Sequence, residues 1–141
     1  LAALCATLRL YRDPEAALTR IPTLAALTAP SGELEERVGR LHHRLQVAGV
    51  AAEMQDGISQ VGGGSLPGEE LPTSVLAVDP GPRGAAALAQ HLRVGEPSIW
   101  TRVHRDRVLI DLRTVTEPEC DELEAALLRW LQAGREGGTG Q

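Results

Sequence analysis

Lysine is absent from this chain of 141 residues: all fourteen basic residues are arginine, at positions 9, 12, 20, 37, 40, 44, 83, 93, 102, 105, 107, 113, 129 and 135. No side chain here can form a Schiff base, so covalent amine catalysis by this stretch of chain is excluded. Phenylalanine is also missing, and Tyr11, Trp100 and Trp130 are the only aromatic residues. Two tryptophans are too few for a base-stacking platform and read as packing residues. Cysteine is scarce, with Cys5 and Cys120 alone. Each falls among the apolar positions of an expected helix, where a thiol packs as a small hydrophobe, so no disulfide framework is expected and a reducing compartment fits. No apolar run approaches the roughly 18 residues of a membrane span, and no membrane contact is expected. Positive charge is outweighed, nineteen acidic residues giving a net charge of -5. A polyanion is therefore not gripped by the surface as a whole, and any RNA contact must be local or supplied by other parts of a protein.

What is present is the composition of a globular domain, 43% hydrophobic and 23% charged, with enough chain for one core. The start, Leu1 to Leu10, has neither the basic region nor the cleavage site of a signal peptide and reads as cut from a longer chain. Leu1, Leu4, Leu8 and Tyr11 recur at helical spacing until Asp13-Pro14, so residues 1–12 are expected to end a helix. Two short helices should follow as a connector, split at Ile21-Pro22, with a domain boundary near residue 22. Ser31 is the expected N-cap of the next helix, which carries an apolar stripe of Leu34, Val38, Leu41 and Leu45 and ends near Gly49. Its adjacent His42 and His43 point about 100° apart, a poor arrangement for a shared metal, and read as solvated. His91 and His104 stand alone in sequence, so no metal site is expected.

Beyond Gly49 the apolar pieces shorten. Val50 to Met54, Ile58 to Val61 and Thr73 to Val78 read as three strands, and Arg83 to Leu92 as a helix. Ser98 to Val103 and Val108 to Leu112 read as a hairpin around His104 to Arg107, with Val108, Ile110 and Leu112 on one face and Leu109, Asp111 and Arg113 on the other. Thr116-Glu117-Pro118-Glu119 is a capping box opening a final helix through Leu123, Leu127, Trp130 and Leu131 that should pack on the sheet. Residues 134–141 have little to bury and should be a disordered tail. The expected fold class is α+β: a mainly antiparallel sheet with helices packed on it.

Two groups of residues stand out as candidates for a site. Gly62, Gly63, Gly64 and Ser65 form a run whose backbone can approach a ligand or a neighbouring segment closely; without a P-loop lysine, the structural turn is the first reading. Arg102 and Arg113, on the expected hairpin strands, can present a planar fork to a carboxylate or phosphate, or pair with Asp111.

Four stretches taken together carry a resemblance. They are Leu4-Cys5-Ala6-Thr7-Leu8-Arg9-Leu10-Tyr11; Ile21-Pro22-Thr23-Leu24; Val61-Gly62-Gly63-Gly64-Ser65-Leu66-Pro67 with Leu71-Pro72-Thr73-Ser74; and Leu109-Ile110-Asp111-Leu112-Arg113-Thr114-Val115. In order and spacing the chain resembles the C-terminal part of the bacterial selenocysteine synthase family, the L-seryl-tRNA(Sec) selenium transferases. The resemblance implies the small C-terminal domain of a fold-type I, aminotransferase-like pyridoxal-phosphate enzyme: residues 1–22 the end of a large-domain helix and connector, 23–133 the small α+β domain. It implies conversion of seryl-tRNA(Sec) to selenocysteyl-tRNA(Sec) with selenophosphate, by a cytoplasmic homo-oligomer whose cofactor lysine lies upstream of this segment. No catalytic residue is carried over. Arg102, Arg113 and the residues from Gly62 to Ser65 are implied only as candidates for shaping the substrate side of the pocket. The alternatives are a related enzyme of the same fold type acting on a free amino acid or sugar acid, and a non-catalytic interaction module.

Overall fold

The architecture is taken from a computed structural model that describes residues 1–60 and 70–136, without the side chains of Gln60 and Glu136. The chain opens with three short helices, α1 (Ala2–Leu10), α2 (Pro14–Arg20) and α3 (Pro22–Thr28). Proline sits at the first position of both α2 and α3, where its missing N–H is no loss. The Asp13 carboxylate accepts from the Ala16 N–H at 3.1 Å and caps α2. None of the residues of α1 is buried.

Helix α4 (Ser31–Val47) buries the expected stripe of Leu34, Val38, Leu41 and Leu45. Its N-cap is Pro30 rather than Ser31, and no side chain caps it; the preceding proline holds an extended backbone, which leaves Ser31 as the first helical residue. The other end is a Schellman closure: Gly49 has φ of 82°, and the Val50 N–H donates to the Leu45 carbonyl at 2.9 Å while Gly49 N–H donates to that of Gln46 at 3.0 Å.

One long strand replaces the first two expected: β1 (Ala52–Gln60) runs unbroken through Gln55-Asp56-Gly57 and pairs antiparallel with β2 (Glu70–Val78). Gln55-Asp56-Gly57 has the composition of a turn, but β1 is the edge strand of the sheet, where polar residues are tolerated. A Cβ on Gly57 would lie 3.0 Å from Cγ1 of Val75, so the glycine makes room for a branched neighbour on β2. After a 3-10 turn at Gly81–Arg83 comes α5 (Ala85–Val94), then β3 (Arg102–His104) and β4 (Arg107–Asp111). Arg105 and Asp106 at the tip of this hairpin both have positive φ, 48° and 57°, the pair of left-handed residues a two-residue hairpin turn requires. The sheet order is β1-β2-β4-β3, antiparallel throughout.

A second 3-10 turn, Leu112–Thr114, leads to α6 (Glu117–Glu136). Arg113 therefore sits in this turn, not on a hairpin strand as the sequence suggested. The capping pair forms, with Thr116 N–H and Oγ donating to Glu119 Oε2 at 2.6 and 2.7 Å. Helix continues through Glu136, three residues into the stretch expected to be a tail; residues 137–141 lie outside the described part. Helices α4, α5 and α6 bury Val38, Leu41, Leu45, Leu88, Leu92, Leu123 and Leu127 against Leu76, Val78, Val108 and Ile110 of β2 and β4. Each fully buried leucine contributes about 1.5–3 kcal/mol.

The two tryptophans part company. Trp130 packs, donating its Nε1–H to the Pro80 carbonyl at 3.1 Å with the Arg83 guanidinium stacked over its ring. Trp100 is 79% exposed, so the expectation that it packs fails. Cys120 is buried and Cys5 exposed, both as free thiols, so the expectation that both pack as small hydrophobes holds for Cys120 alone.

Candidate functional site

The end of the sheet nearest the connector, together with α3 and the start of α4, borders an open cleft of about 1190 Å³. Its lining includes Arg37, Arg40, Arg102, Asp111, Arg113 and Glu117. Both candidate arginines are thus brought to one place, although they lie in different kinds of backbone. The other candidates, Gly62, Gly63, Gly64 and Ser65, lie outside the described residues.

Arg113 is held by four acceptors on three segments. Its Nε–H donates to Ser59 Oγ at 3.0 Å on β1, Nη1 to the carbonyls of Ala26 (3.0 Å) and Ala29 (3.3 Å) at the end of α3, and Nη2 to the Pro72 carbonyl (2.6 Å) on β2. The anticipated guanidinium pairing with Asp111 is not made. Asp111 instead accepts from the Arg113 backbone N–H at 3.0 Å and from Thr73 Oγ at 3.1 Å, and Ser59 Oγ donates to its other oxygen. One cation on neutral oxygens and one anion on hydroxyls and an N–H thereby knit β1, β2, β4 and the connector.

Arg102 is different. It is exposed on β3, and its one hydrogen bond among the described residues is a long 3.5 Å contact to the Ile58 carbonyl. Its guanidinium is the least committed of those bordering the cleft. Arg37 donates to the Val115 carbonyl and lies 3.4 Å from Glu117, which Arg40 also meets at 2.7 Å. Arg44 completes the row, pairing with Asp121 at 2.7 Å and with Glu124. Arg37, Arg40 and Arg44 on α4 thus face Glu117, Asp121 and Glu124 on α6. Ser59, Thr73, Arg37 and Arg40 were not singled out from the sequence. The matched spacing of the arginines and carboxylates at one helical turn was the available signal for the last two.

Two titratable groups are shifted. The hydrogen bonds from Thr116 hold the Glu119 carboxyl below its ordinary value, because they favour the charged form. Burial pushes the Cys120 thiol up, which argues against a nucleophile. His42 is half-buried with Nε2 3.0 Å from the Ala52 carbonyl, while His43 is exposed, so only His43 matches the solvated reading. Among the described residues no group of three or more His, Cys, Asp or Glu could hold a metal, and no helix is long and apolar enough to cross a membrane.

Comparison with known proteins bears on what such a cleft serves. Residues 1–116 match the family model described as L-seryl-tRNA selenium transferase. The chain is 43% identical over 141 residues to the L-seryl-tRNA(Sec) selenium transferase of Moorella thermoacetica, covering 98% of this chain and 30% of that protein. It is 41% identical over 130 residues to the protein of the same name from Geobacter metallireducens (90% and 28%), and 42% identical over 134 residues to that of Nitratidesulfovibrio vulgaris (93% and 29%). The chain spans about 30% of the length of these relatives and matches their C-terminal part.

Proposed function

The chain belongs to the L-seryl-tRNA selenium transferase family, and from that premise we propose that it serves as the small C-terminal domain of an enzyme converting seryl-tRNA(Sec) to selenocysteyl-tRNA(Sec) with selenophosphate. The observation that carries this reading is the identity of 43% sustained over 98% of the chain, since a shared fold alone would say little about activity. In this reading residues 1–22 connect to a large cofactor domain, 23–133 form the small domain, and the assembled enzyme is a cytoplasmic homo-oligomer.

Pyridoxal phosphate is the cofactor of the proposed reaction, supplying an electron sink when bound. This segment does not fit it. The chain has no lysine, and the arginines bordering the cleft are mostly committed to carbonyls or to Glu117. The cofactor is therefore assigned to the rest of the full-length protein, and no chemical step is derived from residues here. What this segment supplies is shape and charge. Arg102, with its guanidinium nearly uncommitted, is the residue proposed to meet substrate. Arg113 acts at one remove, by fixing the end of the connector against the sheet, and Gly62 to Ser65 remain proposed as contributors to the pocket wall.

The test is direct. The full-length protein, loaded with pyridoxal phosphate, is given seryl-tRNA(Sec) and selenophosphate, and the acyl group is identified after deacylation. Selenocysteine is the expected product. Turnover of free serine or of a sugar acid, with seryl-tRNA left unchanged, would overturn the proposal in favour of a related activity on a small substrate.

A further inference from the structure

Between α4 and α6 arginine is neutralised, Arg37, Arg40 and Arg44 meeting Glu117, Asp121 and Glu124, and Arg83 is stacked on Trp130. At the opposite edge of the sheet the balance differs. Arg102, His104 and Arg105 are exposed, and among the described residues none of them forms an ion pair. Asp106, which follows Arg105, pairs with none of them, its carboxylate accepting from the Ala85 N–H at 3.5 Å. Arg107 on the facing strand is only loosely held by Glu53, at 3.4 Å.

These side chains share a surface. Alternation along β3 puts Arg102 and His104 on one face, and the register sets them opposite Leu109 and Arg107. The left-handed tip carries Arg105. With Gln55, Asp56 and Gly57 of β1 they border a shallow groove of about 860 Å³, in which Asp56 is the one carboxylate against three arginines. Trp100, just before β3, is 79% exposed, with the Arg93 guanidinium 5.8 Å from its ring centroid. Arginine on an edge strand also discourages strand addition, but that role gives no reason for a bare tryptophan beside it. Uncancelled guanidinium groups next to an exposed aromatic ring are the combination that holds a sugar–phosphate backbone and stacks an unpaired base. On a chain with a net charge of -5, a polyanion is steered to a local cluster of guanidinium groups that have no ion-pair partner among the described residues.

We propose that the edge of the β3–β4 hairpin, through Arg102, His104, Arg105 and Trp100, contacts the backbone of an RNA strand carrying an unpaired base. The RNA is the acylated tRNA of the function proposed above, on which reading this inference rests.

The experiment uses the full-length protein and measures tRNA(Sec) binding across a series of salt concentrations. Replacing Arg102→Gln and Arg105→Gln together should weaken binding and flatten the plot of log affinity against log salt by about 0.7–0.9 for each phosphate that is no longer neutralised. Arg102→Lys with Arg105→Lys should restore the slope, which rules out misfolding as the cause. Trp100→Ala should weaken binding without changing the slope, and Trp100→Tyr should recover most of the loss. Arg20→Gln with Arg129→Gln, an equal loss of two charges at exposed positions of α2 and α6, serves as the control. Wild-type protein that binds tRNA while the hairpin glutamine pair behaves like the Arg20→Gln, Arg129→Gln pair overturns this inference and leaves the proposed function standing. Wild-type protein that binds no tRNA at all overturns both.

Discussion

Arg113 shows how little of a residue's task is written in its neighbours in sequence. Asp111 lies two positions away and invites an ion pair, yet the guanidinium turns to main-chain oxygens of Ala26, Ala29 and Pro72 and to Ser59. Every residue owns a carbonyl, so such partners leave no trace in a sequence and emerge only once the chain is folded. Arg102 was legible as a candidate because its state is simple: exposed and nearly free. The geometry sets a measurable expectation for Arg113. A lysine ammonium keeps the charge but cannot span three segments with a planar fork. Arg113→Lys as well as Arg113→Ala should therefore lower stability by about 1.5–3 kcal/mol, the range for hydrogen bonds to a charged group. Hydrogen exchange over Pro22–Ala29 should rise in both variants, and an unchanged melting temperature with unchanged exchange would refute the clamp. Glu119 gives a pH-dependent counterpart. Its folded value is lowered by the Thr116 bonds, so its stabilisation is fully present above the unfolded carboxylate value and is lost as pH falls through the depressed folded one. Urea midpoints of wild type and Glu119→Gln should differ at neutral pH and converge in acid.

Elements declared themselves where one period dominates. The stripe of α4 and the capping pair of α6 were readable because both are local, whereas the split of β1 into two strands was a misreading of Gln55-Asp56-Gly57. Those residues look like a turn, and only the pairing with Thr73, Ser74 and Val75 reveals them as strand. Gly57→Ala tests that account: its Cβ would meet Val75 Cγ1 at 3.0 Å, so the variant should lose about 1 kcal/mol, at the low end for overpacking, and Val75→Ala should relieve it in the double variant. Additive losses would show that the glycine is there for another reason. Helix α1 is the converse case, readable as a helix yet without a buried residue. Leu4, Leu8 and Tyr11 are each more than half exposed, an apolar stripe of the kind that drives association. The isolated 141-residue chain should self-associate in light scattering, and Leu4→Glu with Leu8→Glu should return it to monomer. A wild-type chain that is already monomeric would remove the argument that this stripe is an interface.

At the scale of the whole molecule, charge is sorted rather than spread. The α4 and α6 helices interleave arginine with carboxylate, while Arg102 and Arg105 on the hairpin edge form no ion pair among the described residues, and a net charge alone could not have shown that difference. The complete lack of lysine acts at the same scale, because it removes one kind of chemistry from every surface of the segment at once. Guanidinium groups remain protonated at any working pH and do not form a Schiff base with an aldehyde. With its α-amino group blocked, the chain treated with pyridoxal phosphate and then borohydride should carry no cofactor on any side chain by peptide mass spectrometry. The full-length protein under the same treatment should carry one, on a lysine outside residues 1–141. The two halves of the experiment bear on different claims. A stoichiometric adduct within the segment would refute the exclusion drawn from composition, whereas a full-length protein that takes up no cofactor would strike at the proposed selenium transfer itself.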